Sequence, residues 1–405
     1  MGPFGSSIKV ETFVADGVPV ISGQHLQGFE VNDTVGYNFI TEEHADRLKK
    51  ANVERGDVVF THAGSIGQAA MVPHDAVYDR YVISQRQFYL RCDPKKAIPE
   101  YVVAYFKSPQ GQHALLANSS QVGVPSIARP VTYLRSIAIP LPPLDEQRAI
   151  ASVLGALDDK IEQNQRTAQA LERLARAIFR AWFVDFEPVK AKAAGATAFP
   201  SMPQPVFDAL PTRFVDSTIG PVPEGWEVAR LTELADIKGG KQLPTDDCKA
   251  VGRFPVYGAN GIMGYADRPT HEGFVIAFGR VGAYCGSIHW RYGGAWINNN
   301  ASAVVPRSWP EFVLQAMLET DFERMRRGSA QPFIPNSSLA ALEIVVPSNC
   351  VLTSFSDVAN SLRLKENALI DESRKLAEMR DYLLPKLLSG NVQVKDAART
   401  LETTA

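Results

Sequence analysis

The chain repeats itself, and that constrains its fold more than any other feature of the sequence. Pro125 and Ile127 in VGVPSIARPVTYLRSIAIPLP are matched by Pro332 and Ile334 in SAQPFIPNSSLAALEIVVP. In the same register Ile137, Ile139 and Pro140 are matched by Ile344, Val346 and Pro347, all at an offset of 207. Upstream, ERGDVVFTHAGSIGQAAMV (54–72) resembles HEGFVIAFGRVGAYCGSIH (271–289) once gaps are allowed. Both read as strand, glycine turn, strand. EYVVAYFKS (100–108) and EFVLQAMLE (311–319) then hold corresponding places and read as helices. Agreement in order over four blocks implies two copies of one domain.

A long amphipathic helix follows each copy. In the first, Ile150, Leu154, Leu157, Ile161, Asn164, Ala168, Leu171, Ala175, Ile178 and Trp182 alternate steps of four and three. That spacing keeps one apolar seam on a helix of roughly 35–40 residues, or about 55 Å. The second helix is expected from about Phe355 to Leu388, with Leu362, Leu369, Leu376, Leu383 and Leu387 on its seam. Ser389-Gly390 is a credible stop, and Pro385 predicts a distorted last turn. Two such helices in one chain pack most simply as an antiparallel coiled coil. The alternative is that each merely packs on its own domain.

The expected organisation is therefore α+β with a pseudo-two-fold internal repeat. Residues 1–143 form a first mixed α/β domain and 144–186 the first helix. The Pro/Ala-rich stretch 187–222 reads as an extended linker. Residues 223–350 form the second domain, 351–390 the second helix and 391–405 a tail. PEGWEVARLTELADIKGGKQ (223–242) opens the second domain, whereas GPFGSSIK at the start of the chain aligns near Gly239-Gly240-Lys241. Roughly 15–20 residues of the first repeat are therefore expected to be missing.

Composition narrows the class. With 405 residues, 45% hydrophobic and 21% charged, the chain is globular and long enough for two or three cores. No apolar run reaches the roughly 18–20 residues that span a bilayer. The Gly- and Ser-rich Met1–Ser7 segment has no signal-peptide pattern. Cys92, Cys248, Cys285 and Cys350 are far apart, which points to reduced thiols in a cytoplasm. Net charge is −2, and the first domain balances 13 Lys/Arg against 13 Asp/Glu. A DNA binder with that balance must segregate its charges or share the phosphates with a partner.

Motifs for chemistry are missing from the sequence. There is no GxxxxGK[ST] loop, no HExxH and no paired His/Cys set. LPPLDEQ (141–147) lacks the acceptor and stacking aromatic of an amino-methyltransferase motif. FVDFEPVK (183–190) lacks a nuclease-core strand pattern, so its carboxylates read as solvated charges at a helix end. A non-catalytic protein is expected, with no cofactor or metal of its own.

Loops rich in glycine and forked donors remain. In the second domain they hold Lys241, Gln242, Asn260, Arg280, Asn298 and Asn299; in the first, Ser6, Ser7, Gln24, Ser65, Arg86, Gln87, Ser119 and Gln121. Amides and guanidinium groups pair bidentately with adenine and guanine edges, and glycine lets backbone approach phosphate. Taken singly, each such residue is as well explained by an ordinary turn.

IPLPPLDEQRAIASVLGALDDKIEQNQRTAQALERLARAIFRAWFVDFEPVKAK (139–192) and FVDSTIGPVPEGWEVARLTELADIKGG (214–240) resemble the central region of type I restriction-modification specificity subunits. LAEMRDYLLPKLLSGNVQV (376–394) resembles that family's second conserved region. The resemblance implies two target-recognition domains, each reading half of a split double-stranded DNA site. It implies helices that set the spacer and dock two modification (methyltransferase) subunits. Restriction/translocase subunits would join them, and S-adenosylmethionine, ATP and Mg2+ would serve those partners. Pro125, Ile127, Pro332 and Ile334 lie in the family's loop near the end of each recognition domain. Their neighbours Ser119, Gln121, Arg327, Ser329 and Gln331 are then DNA-facing candidates. The seam residues become candidates for partner docking, and the compartment is the cytoplasm, without membrane contact. A different class of protein, a coiled-coil scaffold whose domains no longer bind DNA, shares these features. So does a piece of a fused restriction enzyme, which would need its catalytic domain in trans.

Overall fold

The computed structural model describes Gly2 and residues 7–120, 123–328, 331–392 and 394. They form two compact units, Met1–Thr167 with Ala368–Ala405, and Ala168–Asn367.

Unit 1 contains β1 (Val18–Ile21), β2 (Asn38–Ile40), α1 (Glu42–Arg47), β3 (Asn52–Val53), β4 (Val58–Thr61), β5 (Ala69–Met71), β6 (Tyr81–Ile83) and β7 (Gln87–Leu90). After these come α2 (Pro99–Lys107), α3 (Pro109–Leu116), β8 (Ser119–Ser120), β9 (Ser126–Ile127), α4 (Pro130–Ser136) and the start of the long helix α5 (Leu144–Phe183). One sheet has the order β2-β1-β6-β3, with β1 and β6 parallel. A second, antiparallel sheet has the order β5-β4-β7. Strands β1, β4, β5 and β6 are short and fully buried because both faces are covered, so they read as continuous apolar runs. Proline at the first turn starts α2 without wasting a donor. Its faces then serve two cores. Val102, Val103, Tyr105 and Phe106 pack on the β4 sheet, while Tyr101 and Ala104 pack on Ile150, Leu154, Leu383 and Leu387 of the long helices.

Unit 2 opens with the end of α5, then α6 (Glu187–Ala193), α7 (Gln204–Asp208) and the hairpin β10 (Phe214–Ser217)–β11 (Gly220–Pro223). Next are β12 (Glu227–Arg230), α8 (Leu231–Leu234), β13 (Ala235–Gly239), β14 (Phe254–Gly258), β15 (Gly261–Ala266), β16 (Val275–Gly279), β17 (Ile288–Arg291), β18 (Trp296–Ile297) and β19 (Ala301–Pro306). The unit closes with α9 (Pro310–Leu318), α10 (Asn336–Ala340), β20 (Glu343–Val346) and the second long helix, α11 (Asn349–Leu388).

The duplication is visible in the pairing. The antiparallel order β17-β16-β19 repeats β5-β4-β7, and β15-β14-β18, with β14 and β18 parallel, repeats β2-β1-β6. Gly240 N–H donates to the Ala301 carbonyl at 2.9 Å, and Gly2 N–H donates to the Gln87 carbonyl at 2.8 Å. A Cβ at Gly240 would lie 2.0 Å from the Asn298 carbonyl oxygen, and one at Gly2 1.9 Å from that of Ser84. Both positions therefore require glycine.

The copies differ at one edge. In unit 2, β13 pairs along β19 and β12 pairs with β20. Among the described residues of unit 1 no strand occupies either place. The segment matching β20 instead satisfies two carbonyls through side chains: Tyr101 Oη donates to Pro140 O at 2.8 Å and Tyr105 Oη to Ala138 O at 3.5 Å.

Two expectations need correction. Residues 187–222 are folded onto unit 2 rather than extended: Val189, Met202, Phe207 and Leu210 are in its core, and Lys192 Nζ bonds the carbonyls of Asp208 and Leu210 at 2.6 Å. Elements of four to seven residues are too short to show a period, so the segment looked structureless. On the long helices, Leu171, Leu362, Leu369 and Leu376 are only half-buried, whereas Arg363, Glu366 and Ser373 are buried. A straight helix drifts about 20° per heptad, which rotates a strict seven-residue line off the contact. Helix α11 also passes through Pro385 and ends at Leu388. There Gly390, with φ 70°, bonds back to Leu387, and Asn391 bonds back to Lys386.

In each unit the helices run antiparallel. Within unit 1, Ile150, Leu154 and Leu157 pack with Leu383, Leu384 and Leu387. Further along, Arg380 Nη1 donates to Asp158 at 2.6 Å and Asn164 Nδ2 to Glu372 at 2.9 Å. Within unit 2, Phe355 lies 5.6, 6.2 and 5.1 Å from the rings of Phe179, Trp182 and Phe183. Such pairs add about 0.5–1.5 kcal/mol each beyond area burial. No helix among the described residues is long and apolar enough to cross a membrane.

Candidate DNA-reading loops

The same backbone bonds gather the candidate loops at one end of the main sheet in both units. In unit 1, Gly64 N–H donates to Pro125 O at 2.9 Å, and Ile127 N–H to His62 O at 2.8 Å. In unit 2, Gly282 N–H donates to Pro332 O at 2.8 Å, and Ile334 N–H to Arg280 O at 2.9 Å. Ile127 and Ile334 are buried anchors. The prolines place their carbonyls on the turn glycines, and the polar neighbours are left at the rim. The matched Pro and Ile thus act structurally, holding the loop on the hairpin.

In unit 1 the loops border a cleft of about 570 Å3 lined by Ser22, Gln24, Gln27, Asn38, Ser65 and Arg86. Gln24, Ser65 and Arg86 are exposed there, although Gln24 also donates to Gly36 O at 3.1 Å. Ser119 pairs with Ile127, and an isolated bridge joins Ala63 to Ser126, so that loop belongs to the same end. Ser7 lies half-buried with its carbonyl on the His44 ring nitrogen at 2.8 Å. His62, which sequence reading passed over, shares the loop: its ring contacts Gln85 O at 3.1 Å. Burial lowers its pKa, opposed by hydrogen bonds that include the one to Gln85, so it reads as a neutral group.

In unit 2, Asn260 is exposed at the β14–β15 turn, and Arg280 Nη2 holds Asn299 O at 3.0 Å. Arg327 and Phe333 exchange backbone bonds at 2.9 Å beside Gln331, and Lys241 N–H donates to Ile297 O at 2.9 Å. Gln242 is exposed next to it. Among the described residues Arg280 Nε, His289 Nε2 and Asn300 Oδ1 are buried without a hydrogen-bond partner in the chain. Such groups are costly unless a ligand or solvent satisfies them. Asn300 and His289 both border the Gly258–Gly261 turn.

Two candidates are consumed by the fold. Gln87 is buried against Ser84 and Thr61. Asn298 is buried, with Nδ2 on Met263 Sδ at 3.5 Å and Oδ1 capping Asn299 N–H at 2.8 Å. Neither amide is presented to a ligand. Ser6, Gln121 and Ser329 lie outside the described residues.

The loop ends also carry Arg86, Lys241, Arg280 and Arg327, and Arg280 is held there by its bond to Asn299 O. No cluster of three His, Cys, Asp or Glu with metal-site geometry occurs among the described residues.

Duplicated loop ends with cations, forked donors and glycine turns have the chemistry that recognition of a polyanion with hydrogen-bonding edges uses. The model of the "Type I restriction modification DNA specificity domain" matches residues 8–173 and 223–349. The chain belongs to this family, and its part is DNA sequence specificity rather than catalysis. It is 24% identical to the type I restriction enzyme HindI specificity subunit of Haemophilus influenzae, over 85% of this chain and 88% of that one. It is 22% identical to the MjaIX specificity subunit of Methanocaldococcus jannaschii, over 96% and 90%. The crystal structure of a type I restriction-modification S subunit from M. genitalium shares the fold, with TM-score 0.57, 18% identity and coverage of 94% and 91%.

Proposed function

We propose that the chain binds a bipartite DNA target, the loop end of each unit reading one half, and that it directs partner modification and restriction subunits to that target. The observation that carries this reading is the repeated loop scaffold (Gly64 on Pro125, Gly282 on Pro332) bearing different exposed side chains. One backbone frame with two sets of contacts suits two half-sites of different sequence. On this reading 1–143 and 223–350 are the recognition domains, and 144–186 with 351–390 are the spacer helices. Two modification subunits would bind equivalent surfaces of the repeated chain. The seam side chains are buried in helix–helix packing or half-buried beside it. Docking would therefore use side chains outside the seam, such as exposed Leu174, Leu364, Ile370 and Tyr382. S-adenosylmethionine, ATP and Mg2+ would serve the partners, and the complex would work in the cytoplasm, where its DNA is.

The test is co-expression with the modification subunit in a host lacking adenine methylation, followed by methylome sequencing. A split motif is expected, and replacing residues 1–143 by a relative's domain should change only one half of it. A change in both halves would refute the modular reading. No split motif at all would favour a scaffold with inert domains.

A further inference from the structure

The loop end of unit 2 gathers several exposed apolar side chains, where the matched loop of unit 1 exposes Val124. In unit 2 Ile262, Met263, Tyr284 and Phe333 are 52%, 55%, 54% and 40% exposed. Single exposed apolar side chains are ordinary. Ile262 and Met263 open β15 just after the β14–β15 turn, Tyr284 and Phe333 lie on loops, and these segments are bonded to one another. Ser287 Oγ donates to Ala259 O between the β16–β17 loop and the β14–β15 turn. Gly282 N–H holds Pro332 O, beside Phe333, and Asn298 Nδ2 reaches Met263 Sδ. A Cβ at Gly279 would lie 2.7 Å from Tyr284 O and 3.1 Å from Ala259 O, so the two tips touch through backbone. On the matched hairpin of unit 1, Ile66 follows Gly64 by two residues as Tyr284 follows Gly282. Ile66 is half-buried and packs on the core, whereas Tyr284 stands out from its loop.

Lys241, Arg280 and Arg327 lie on the same bonded loops, through Ile297, Asn299 and Phe333. Methyl, thioether and aromatic edges beside cations suit a duplex groove whose floor carries a methyl group. Among base-pair edges only thymine presents one, at C5 in the major groove. We propose that unit 2 reads at least one thymine of its half-site through apolar contact from Met263 and Tyr284. This rests on the reading of the chain as a two-domain DNA reader, and continuity with that loop surface argues for DNA over a protein partner.

The experiment uses the full chain with its modification subunits and duplexes bearing the mapped motif. Each thymine of the half-site assigned to unit 2, on either strand, is replaced by deoxyuridine, which removes only the methyl. Burying one methyl is worth roughly fourfold in affinity, so a loss of that size is expected at one position or more. The double variant Met263→Ser/Tyr284→Ser should lose this discrimination while keeping its response to changes in the other half-site. The uridine scan uses the unaltered chain, so it stands even if the variant folds poorly. Uridine tolerated throughout that half-site, a half-site without thymine, or a folded variant that still discriminates would each overturn the proposal. Absence of any split motif would overturn the two-reader function and this inference with it; a split motif indifferent to uridine overturns this inference alone.

Discussion

Arg363 and Glu311 join α11 to α9 through a buried pair whose loss can be worked out from the structure. Arg363 Nε and Nη2 reach the two Glu311 oxygens at 3.1 and 3.2 Å, and Nη1 reaches Glu366 at 2.5 Å. Arg363 is 6% exposed and Glu311 1%, so water screens neither charge. Tyr292 Oη adds a bond to Glu311 at 3.0 Å, and the guanidinium lies 5.2 Å from the Trp290 ring centre. Arg363→Met would leave Glu311 in the core with the Tyr292 hydroxyl as its one remaining donor among the described residues. Breaking such a pair from one side costs about 3–5 kcal/mol, because the remaining charge stays desolvated. For a unit of this size each kcal/mol moves Tm by about 2–4 °C, so a drop of about 6–20 °C is expected. Adding Glu311→Gln removes the more buried of the two stranded carboxylates, Glu366 being the other, while keeping an acceptor for Tyr292, and should recover part of the loss. The assay is a double-mutant cycle in urea and thermal melts, followed by circular dichroism and tryptophan fluorescence. A single-variant cost below about 1 kcal/mol, or additive effects of the two substitutions, would refute the argument that the pair is buried and coupled.

Two further outcomes are expected. Arg86→Ala and Arg327→Ala should each reduce the salt dependence of DNA affinity by about one unit of log–log slope, measured by fluorescence anisotropy from 50 to 200 mM salt; unchanged slopes would place both cations away from phosphate. His25 is buried, stacked 4.1 Å from Tyr37, and its Nδ1 accepts Ser22 N–H at 3.0 Å. Burial is the main cause of its lowered pKa, so the neutral ring is the folded form. Stability from this depressed base is present above its ordinary value near 6.5 and is lost as pH falls below it. The native chain should therefore lose more urea stability between pH 7.5 and 5.5 than His25→Gln; equal losses would show that the ring does not carry the effect.

Several features were legible because their signals are local or periodic. The two copies, the helices from near Ile150 and Phe355, and the strand–turn–strand blocks each follow from spacing within one segment. The family motifs lie in the helices and the 214–240 segment, and both are contiguous strings. Loop candidates were harder. Arg86, Asn260, Arg280 and Arg327 do come to the loop ends, but Gln87 and Asn298 have the same chemistry and are buried. Nothing in the residue type distinguishes them. Tyr284 and Met263 were overlooked because apolar residues read as core until a fold leaves them outside.

The sequence by itself determined that this chain is a duplicated reader with two long helices. Hydrogen bonding and amphipathic period act over a few residues and so are written in order along the chain. Only the tertiary structure decided which loop side chains reach solvent, which seam positions are polar, and that residues 187–222 join a core. Burial depends on what covers a residue, and the covering groups come from distant segments: Thr61 over Gln87, Met263 over Asn298, Glu311 over Arg363. Those pairs are 26, 35 and 52 residues apart, beyond the reach of any local pattern.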